Sequence, residues 1–136
     1  MIVVDTNVLA YLLIPGKYTD SAERLLAADP DWAAPRLWRS ELRNVLATYV
    51  RNELMEVADA AALHQRAASL IGTEEYDVET MDVLRLAKSS GCSGYDCEFM
   101  ALAEFLDVKL VTSDAKLAKA FPARTHILPL DAKRSR

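Results

Sequence analysis

Short unbroken apolar runs alternate along the chain with longer stretches in which apolar residues return every three or four positions. Residues 2–4 are β-branched and do not alternate with polar residues, which predicts a strand buried on both faces. Residues 32–34, 76–78, 108–112 and 126–128 are further short strand candidates. Helical spacing runs over 8–13, 20–28, 58–71, 93–106 and 114–120. A long helix follows Pro35, a residue suited to a first helical turn, and carries Leu42, Val45, Leu46 and Tyr49 at the helical period. Met81, Leu84 and Ala87, spaced by three, mark one more helix, which ends near Gly91. Strands that alternate with helices predict an α/β fold, with a mainly parallel sheet covered by helices.

At 136 residues the chain fits one domain with a core of its own, and we set that domain at 1–131 with a short basic tail at 132–136. Hydrophobic residues make up 51% and charged residues 26%, a globular composition. The net charge of −4 does not advertise a nucleic-acid binder, although bound cations or a local basic patch can reverse the field at a site. Cys92 and Cys97 have no companions at zinc-ligand spacing and read as reduced core thiols. The N-terminus lacks the basic and apolar regions of a signal peptide, and no apolar run could cross a bilayer. The expectation is a cytoplasmic protein with no membrane partner.

Four acids stand at the edges of apolar elements: Asp5 after the first strand, Glu41 in the apolar stripe of the long helix, Asp96 at the start of another helix, and Asp114 after the strand ending at Thr112. Each has an ordinary explanation. Asp5 and Asp114 stand where helix N-caps stand, with Ser113 an equal candidate for the second cap. Asp96 follows Ser93 by three residues, as in a capping box. Glu41 shares a face with Trp38 and Val45, and an ion pair with an arginine would account for it. Glu53, Glu74, Glu75 and Asp82 lie in polar surroundings and read as solvated. The conjunction is harder to explain singly. Parallel strands bring their carboxyl ends to one edge of a sheet, and four carboxylates gathered there repel one another unless cations neutralise them. Oxygen ligands without His or Cys select Mg²⁺ or Mn²⁺ over zinc.

These residues carry a family resemblance. The opening IVVDTNVLAYLL, the SELRNVL helix, the stretch GYDCEFMALAEFLDVKLVTSD and the short terminal strand resemble, in order and spacing, a PIN-domain protein of the VapC-like toxin type, over essentially the whole chain. The resemblance implies a three-layer α/β/α sandwich and a metal-dependent endoribonuclease using one or two Mg²⁺ or Mn²⁺ ions. It places the family's acids at Asp5, Glu41, Asp96 and Asp114 as catalytic and metal-binding residues, with Asn7 and Thr112 in support. Cys97 stands where the family has a small alanine, a change expected to leave activity intact. It also implies an RNA substrate, a homodimer and a silencing antitoxin. Arg39, Arg43, Lys116 and Lys119 are candidates for holding the RNA backbone, and Tyr11, Leu12, Leu13, Leu25 and Leu26 for the apolar partner surface.

Three other readings compete. A haloacid-dehalogenase-type phosphatase also opens on a strand ending in Asp, but expects a second Asp where this chain has Asn7, and a cap domain that its length does not hold. A receiver-like regulatory domain wants adjacent acids near the first strand and a lysine after the last, and neither is evident. A non-catalytic scaffold of the same fold, binding RNA or protein, would have little use for all four acids.

Overall fold

A computed structural model describes residues 1–128. The tail expected at 132–136, and the last three residues of the expected domain, lie outside this range. The elements run β1 (Ile2–Val4), α1 (Thr6–Leu13), α2 (Thr19–Ala28), β2 (Trp32–Pro35), α3 (Trp38–Arg51), α4 (Val57–Ile71), β3 (Glu75–Tyr76), α5 (Thr80–Ser90), α6 (Gly94–Leu106), β4 (Leu110–Thr112), α7 (Ala115–Ala120) and β5 (Thr125–Ile127). All strand pairings are parallel, in the order β3-β2-β1-β4-β5.

Every residue of β1, β2 and β4 is buried, as a sheet covered on both faces requires. Helix α6 packs on β1, β2 and β4 and carries α5 on its back. Helices α1 to α4 pack among themselves, with α1 against β4 and α4 against β2. The expected three-layer α/β/α arrangement is therefore what forms. Its core is built from the strand residues, Leu9, Trp32, Trp38, Leu42, Met100 and Leu102. Among the described residues, no helix is long and apolar enough to cross a membrane.

Several boundaries differ from the sequence expectation, each for a local reason. Helix α1 begins at Thr6 rather than Val8, because the Asp5 side chain accepts the Val8 N–H and nucleates the turn earlier. Pro35 does not open a helix. It ends β2, where the neighbouring Ala34 and Arg36 donate to the carbonyls of Glu74, just before β3, and of Tyr76 within it, so its missing N–H leaves no rung broken. Met81 and Leu84 do lie on a helix, α5, but on its outer side, and Val83 is the buried residue. Their spacing of three reported the helix and not its inner face.

Glu75 also departs from expectation. It accepts from Trp38 Nε1 at 2.7 Å and from Arg39 Nε at 2.6 Å, and pairs with Arg36 at 3.2 Å. This binds the edge strand β3 to the first turn of α3. Burial pushes its carboxyl up, but the bonds from Arg39 and Trp38, helped by the charges of Arg39 and Arg36, outweigh that and hold it below its ordinary value of 4.5. A lowered value means stability that is complete above the unfolded value and lost as pH falls through the folded one. Glu75→Gln is expected to lower unfolding stability by about 1–3 kcal/mol at pH 7. In urea titrations the gap to the native protein should narrow below pH 4.5. An unchanged gap at acid pH would contradict the account.

Candidate functional site at the carboxyl edge of the sheet

The strand order changes direction between β1 and β4. The chain moves outward from β1 to β2 and β3 on one side, then returns to lay β4 and β5 on the other. Such a switch point leaves a crevice beyond the carboxyl ends of the two central strands. Val4 pairs with Val111, so the residues that follow, Asp5 and Thr112 to Asp114, emerge side by side.

A cleft of about 540 Å³ opens there, and Asp5, Glu41, Asp96 and Asp114 all line it. Four elements supply them: the end of β1, the first turn of α3, the first turn of α6, and the cap of α7. Glu41 arrives because Leu37 and Trp38 seat the start of α3 on the core. Asp96 arrives through Gly91, whose left-handed backbone (φ 73°) ends α5 and turns the chain into α6.

The ordinary explanations hold in part. Asp5 caps α1, and its other oxygen accepts the Thr112 hydroxyl across the switch point. Asp114, and not Ser113, caps α7, accepting the N–H groups of Lys116 and Leu117 through Oδ1. Ser93 caps α6 through the Asp96 N–H. Glu41, by contrast, has no arginine or lysine partner among the described residues and accepts the Thr6 hydroxyl at 2.7 Å. Capping accounts for the backbone around three of these acids. It does not account for their sharing one cleft.

Thr112 is fully buried and lies behind the acids, where its oxygen also accepts the Asp114 N–H at 3.0 Å. It thus holds Asp5 and Asp114 in one frame. Asn7 lines the cleft and donates to the Ser113 hydroxyl at 3.3 Å. Thr6 was not anticipated as the support of Glu41. Its only signal was its place beside Asp5 in the DTN segment. Ser40, Asn44 and Tyr95 also line the cleft and were not anticipated.

The electrostatics are those of crowded carboxylates, with the charge of Lys116 acting on Asp96. Burial pushes the Asp5 carboxyl up to about 6, against the opposing bonds from Thr112 and Val8. Burial also raises Glu41; the Thr6 bond opposes it, and the charges of Asp96 and Glu98 add to it. Asp96 is raised by burial and by the charge of Asp114, with Ser93 and Lys116 opposing. Among the described residues, the cleft has no lysine or arginine in its lining.

Of the basic residues expected at this edge, Arg39 instead serves Glu75, and Arg43 faces a separate apolar groove between α3 and α4. Lys116 lies near Asp96 but spends its ammonium on the Gly91 carbonyl at 3.2 Å. Lys119 is exposed on α7. The residues expected at the partner surface are at most partly exposed. Leu13 is buried, and Tyr11, Leu12, Leu25 and Leu26 are half-buried against the core. The most exposed large apolar side chains are Leu54, Val57, Met81, Leu84, Tyr95 and Phe105.

A small hard cation suits this donor set, since carboxylate oxygens with raised proton affinity and no basic side chain in the described lining are what such an ion neutralises. As they stand, no three acid, His or Cys side chains among the described residues converge closely enough to hold one ion. Asp5, Glu41 and Asp114 each direct an oxygen to a hydroxyl or an N–H of their own frame.

Comparison with known proteins agrees with this architecture. A protein of Pyrobaculum aerophilum, ribonuclease VapC3, is 29% identical over 125 residues, covering 90% of this chain and 95% of its own. The solved structure of PAE2754, also from Pyrobaculum aerophilum, superposes with a TM-score of 0.74 at 22% identity, over 93% of this chain and 89% of that one. A toxin–antitoxin complex from Klebsiella pneumoniae gives a TM-score of 0.67 at 18% identity, over 93% and 96%. At such identities the two structures speak for the fold alone. The PIN domain family is matched across residues 2–121, and the chain belongs to that family.

Proposed function

We propose that this protein is a divalent-metal-dependent endoribonuclease, the toxin of a toxin–antitoxin pair, with Asp5, Glu41, Asp96 and Asp114 as its catalytic and metal-binding residues. The observation that carries the proposal is the shared cleft: four carboxylates from four elements, no basic side chain among its described lining, and raised proton affinity in three of them. The name of the VapC3 relative and the toxin–antitoxin complex among the structural neighbours point the same way.

Asp5, Glu41 and Asp96 are the proposed holders of one or two Mg²⁺ or Mn²⁺ ions. Such an ion supplies Lewis acidity at the phosphate oxygens and lowers the pKa of a coordinated water. Thr112 and Thr6 fix the orientation of Asp5 and Glu41 through the bonds already described. Asp114, with one oxygen committed to the α7 cap, has its second available to orient the attacking water. Asn7 steadies the loop between β4 and α7 through Ser113. Water attack on phosphorus breaks the bond to the 3′ oxygen, which leaves with a proton. The products are a 3′-hydroxyl and a 5′-phosphate.

An antitoxin that covers the cleft, and pairing of the protein with itself, belong to the same proposal. One observation favours a second reading, a non-catalytic scaffold: the acids do not converge without help.

Two outcomes separate these readings. Asp5→Asn should abolish Mg²⁺- or Mn²⁺-dependent cleavage of RNA, and equal cleavage by the purified variant would overturn the assignment. The same substitution should stabilise the metal-free protein. The carboxyl of Asp5 rises from 3.8 to about 6 on folding, so its contribution is complete below pH 3.8 and lost as pH rises through 6. At pH 7.5 in chelator, Asp5→Asn is therefore expected to gain about 2–3 kcal/mol, vanishing near pH 3.5. Added Mg²⁺ or Mn²⁺ should raise the native Tm and leave that of the variant unchanged. A native Tm indifferent to both ions would favour the scaffold.

A further inference from the structure

Tyr95 sits in the first turn of α6, directly before Asp96, and lines the same cleft as the four acids. It is 65% exposed, although Phe99, one turn further along the same helix, is buried at 3%. A large aromatic ring left in water forgoes the burial its size favours. The ring meets no aromatic or cationic partner among the described residues: the ring pairs are Tyr11–Tyr18 and Trp38–His64, and the cation contacts are Lys17 over Tyr18 and Arg39 over Trp38.

The lining around it sharpens the point. A polyanion normally meets lysine and arginine at its binding site, and the described lining of this cleft has neither. What the lining offers besides carboxylates is an aromatic face, a few apolar side chains (Leu37, Val45) and neutral hydrogen-bonding groups on α3 (Ser40, Asn44). These are the groups that hold an unstacked base, in which recognition rests on stacking and on base edges.

We infer that Tyr95 is the stacking platform for an unpaired nucleobase beside the scissile phosphate. This deepens the proposed ribonuclease function and rests on it for the identity of the ligand. Ser40 and Asn44 face the same space and are placed to meet a base edge. Tyr95 acts on substrate position and leaves the hydrolytic step to the acids.

The test uses the full-length protein with Tyr95→Ala and Tyr95→Phe. The position is exposed in a first helical turn, where alanine keeps the helix. With Mg²⁺ present, the probe is a short fluorescent single-stranded RNA of mixed sequence with a cleavage-resistant phosphorothioate backbone, read by anisotropy beside the same RNA annealed to its complement. Tyr95→Ala should weaken single-strand binding about tenfold, Tyr95→Phe should restore it, and native protein should prefer the single strand. In cleavage assays KM should rise by about the same factor while kcat stays within about twofold. Unchanged binding and KM in Tyr95→Ala would overturn the inference and leave the ribonuclease standing, with Tyr95 then a surface for a protein partner. A loss confined to kcat, or one not rescued by phenylalanine, would also overturn it. If native protein cleaves no RNA yet shows the Tyr95-dependent binding, the ribonuclease reading falls and the base platform stands.

Discussion

The hydrogen bond from the buried Thr112 hydroxyl to Asp5 crosses the one place where the sheet changes direction. Around it the site is organised. Asp5 also caps α1, and Thr112 also accepts the Asp114 N–H that precedes α7. One side-chain contact therefore links the ends of the two central strands to the starts of two helices. A carboxylate in a buried position needs partners of this kind, because an unpaired one is costly. Here the partners are neutral hydroxyl and N–H groups, which orient Asp5 without cancelling its charge. The remaining electrostatic demand of the cleft is the property on which the proposed function depends.

Glu41 repeats the pattern with Thr6. A carboxylate that paired with arginine would be a structural feature, complete in itself. The arginines close in sequence go elsewhere: Arg39 and Arg36 serve Glu75 on the far edge of the sheet. The fold thus separates its charges. Cations stitch β3 to α3, while the switch-point cleft keeps anions together. Stability and the proposed function draw on different acids, and Glu75 can hold the frame while Asp5 strains it.

The fold was readable because β1, β2 and β4 are short and apolar throughout, as a sheet covered on both faces demands. The ends of elements were less readable. Pro35 looked like a helix start, but in a parallel ladder its neighbours make the bonds. Met81 and Leu84 gave the helical period without giving the buried face. At the site, the four acids could be singled out because each interrupts an apolar element, and the cleft does bring them to one place. The contributions of Thr6, Ser40, Asn44 and Tyr95 had no such mark, since small polar residues and an aromatic at a helix start are ordinary on any surface. Glu75 was misread for the opposite reason: its local sequence is polar, and its burial comes from α3, far away along the chain.

The central claim is that these four carboxylates are brought to one edge to hold a divalent cation. Anomalous diffraction from crystals of the native protein grown with Mn²⁺ tests it most directly. The account predicts a Mn²⁺ peak in the switch-point cleft, within bonding distance of oxygens from Asp5, Glu41 or Asp96, with the Thr6 and Thr112 hydroxyls still behind their acids. A cleft without a Mn²⁺ peak at saturating metal, or an ion bound only elsewhere, would contradict it.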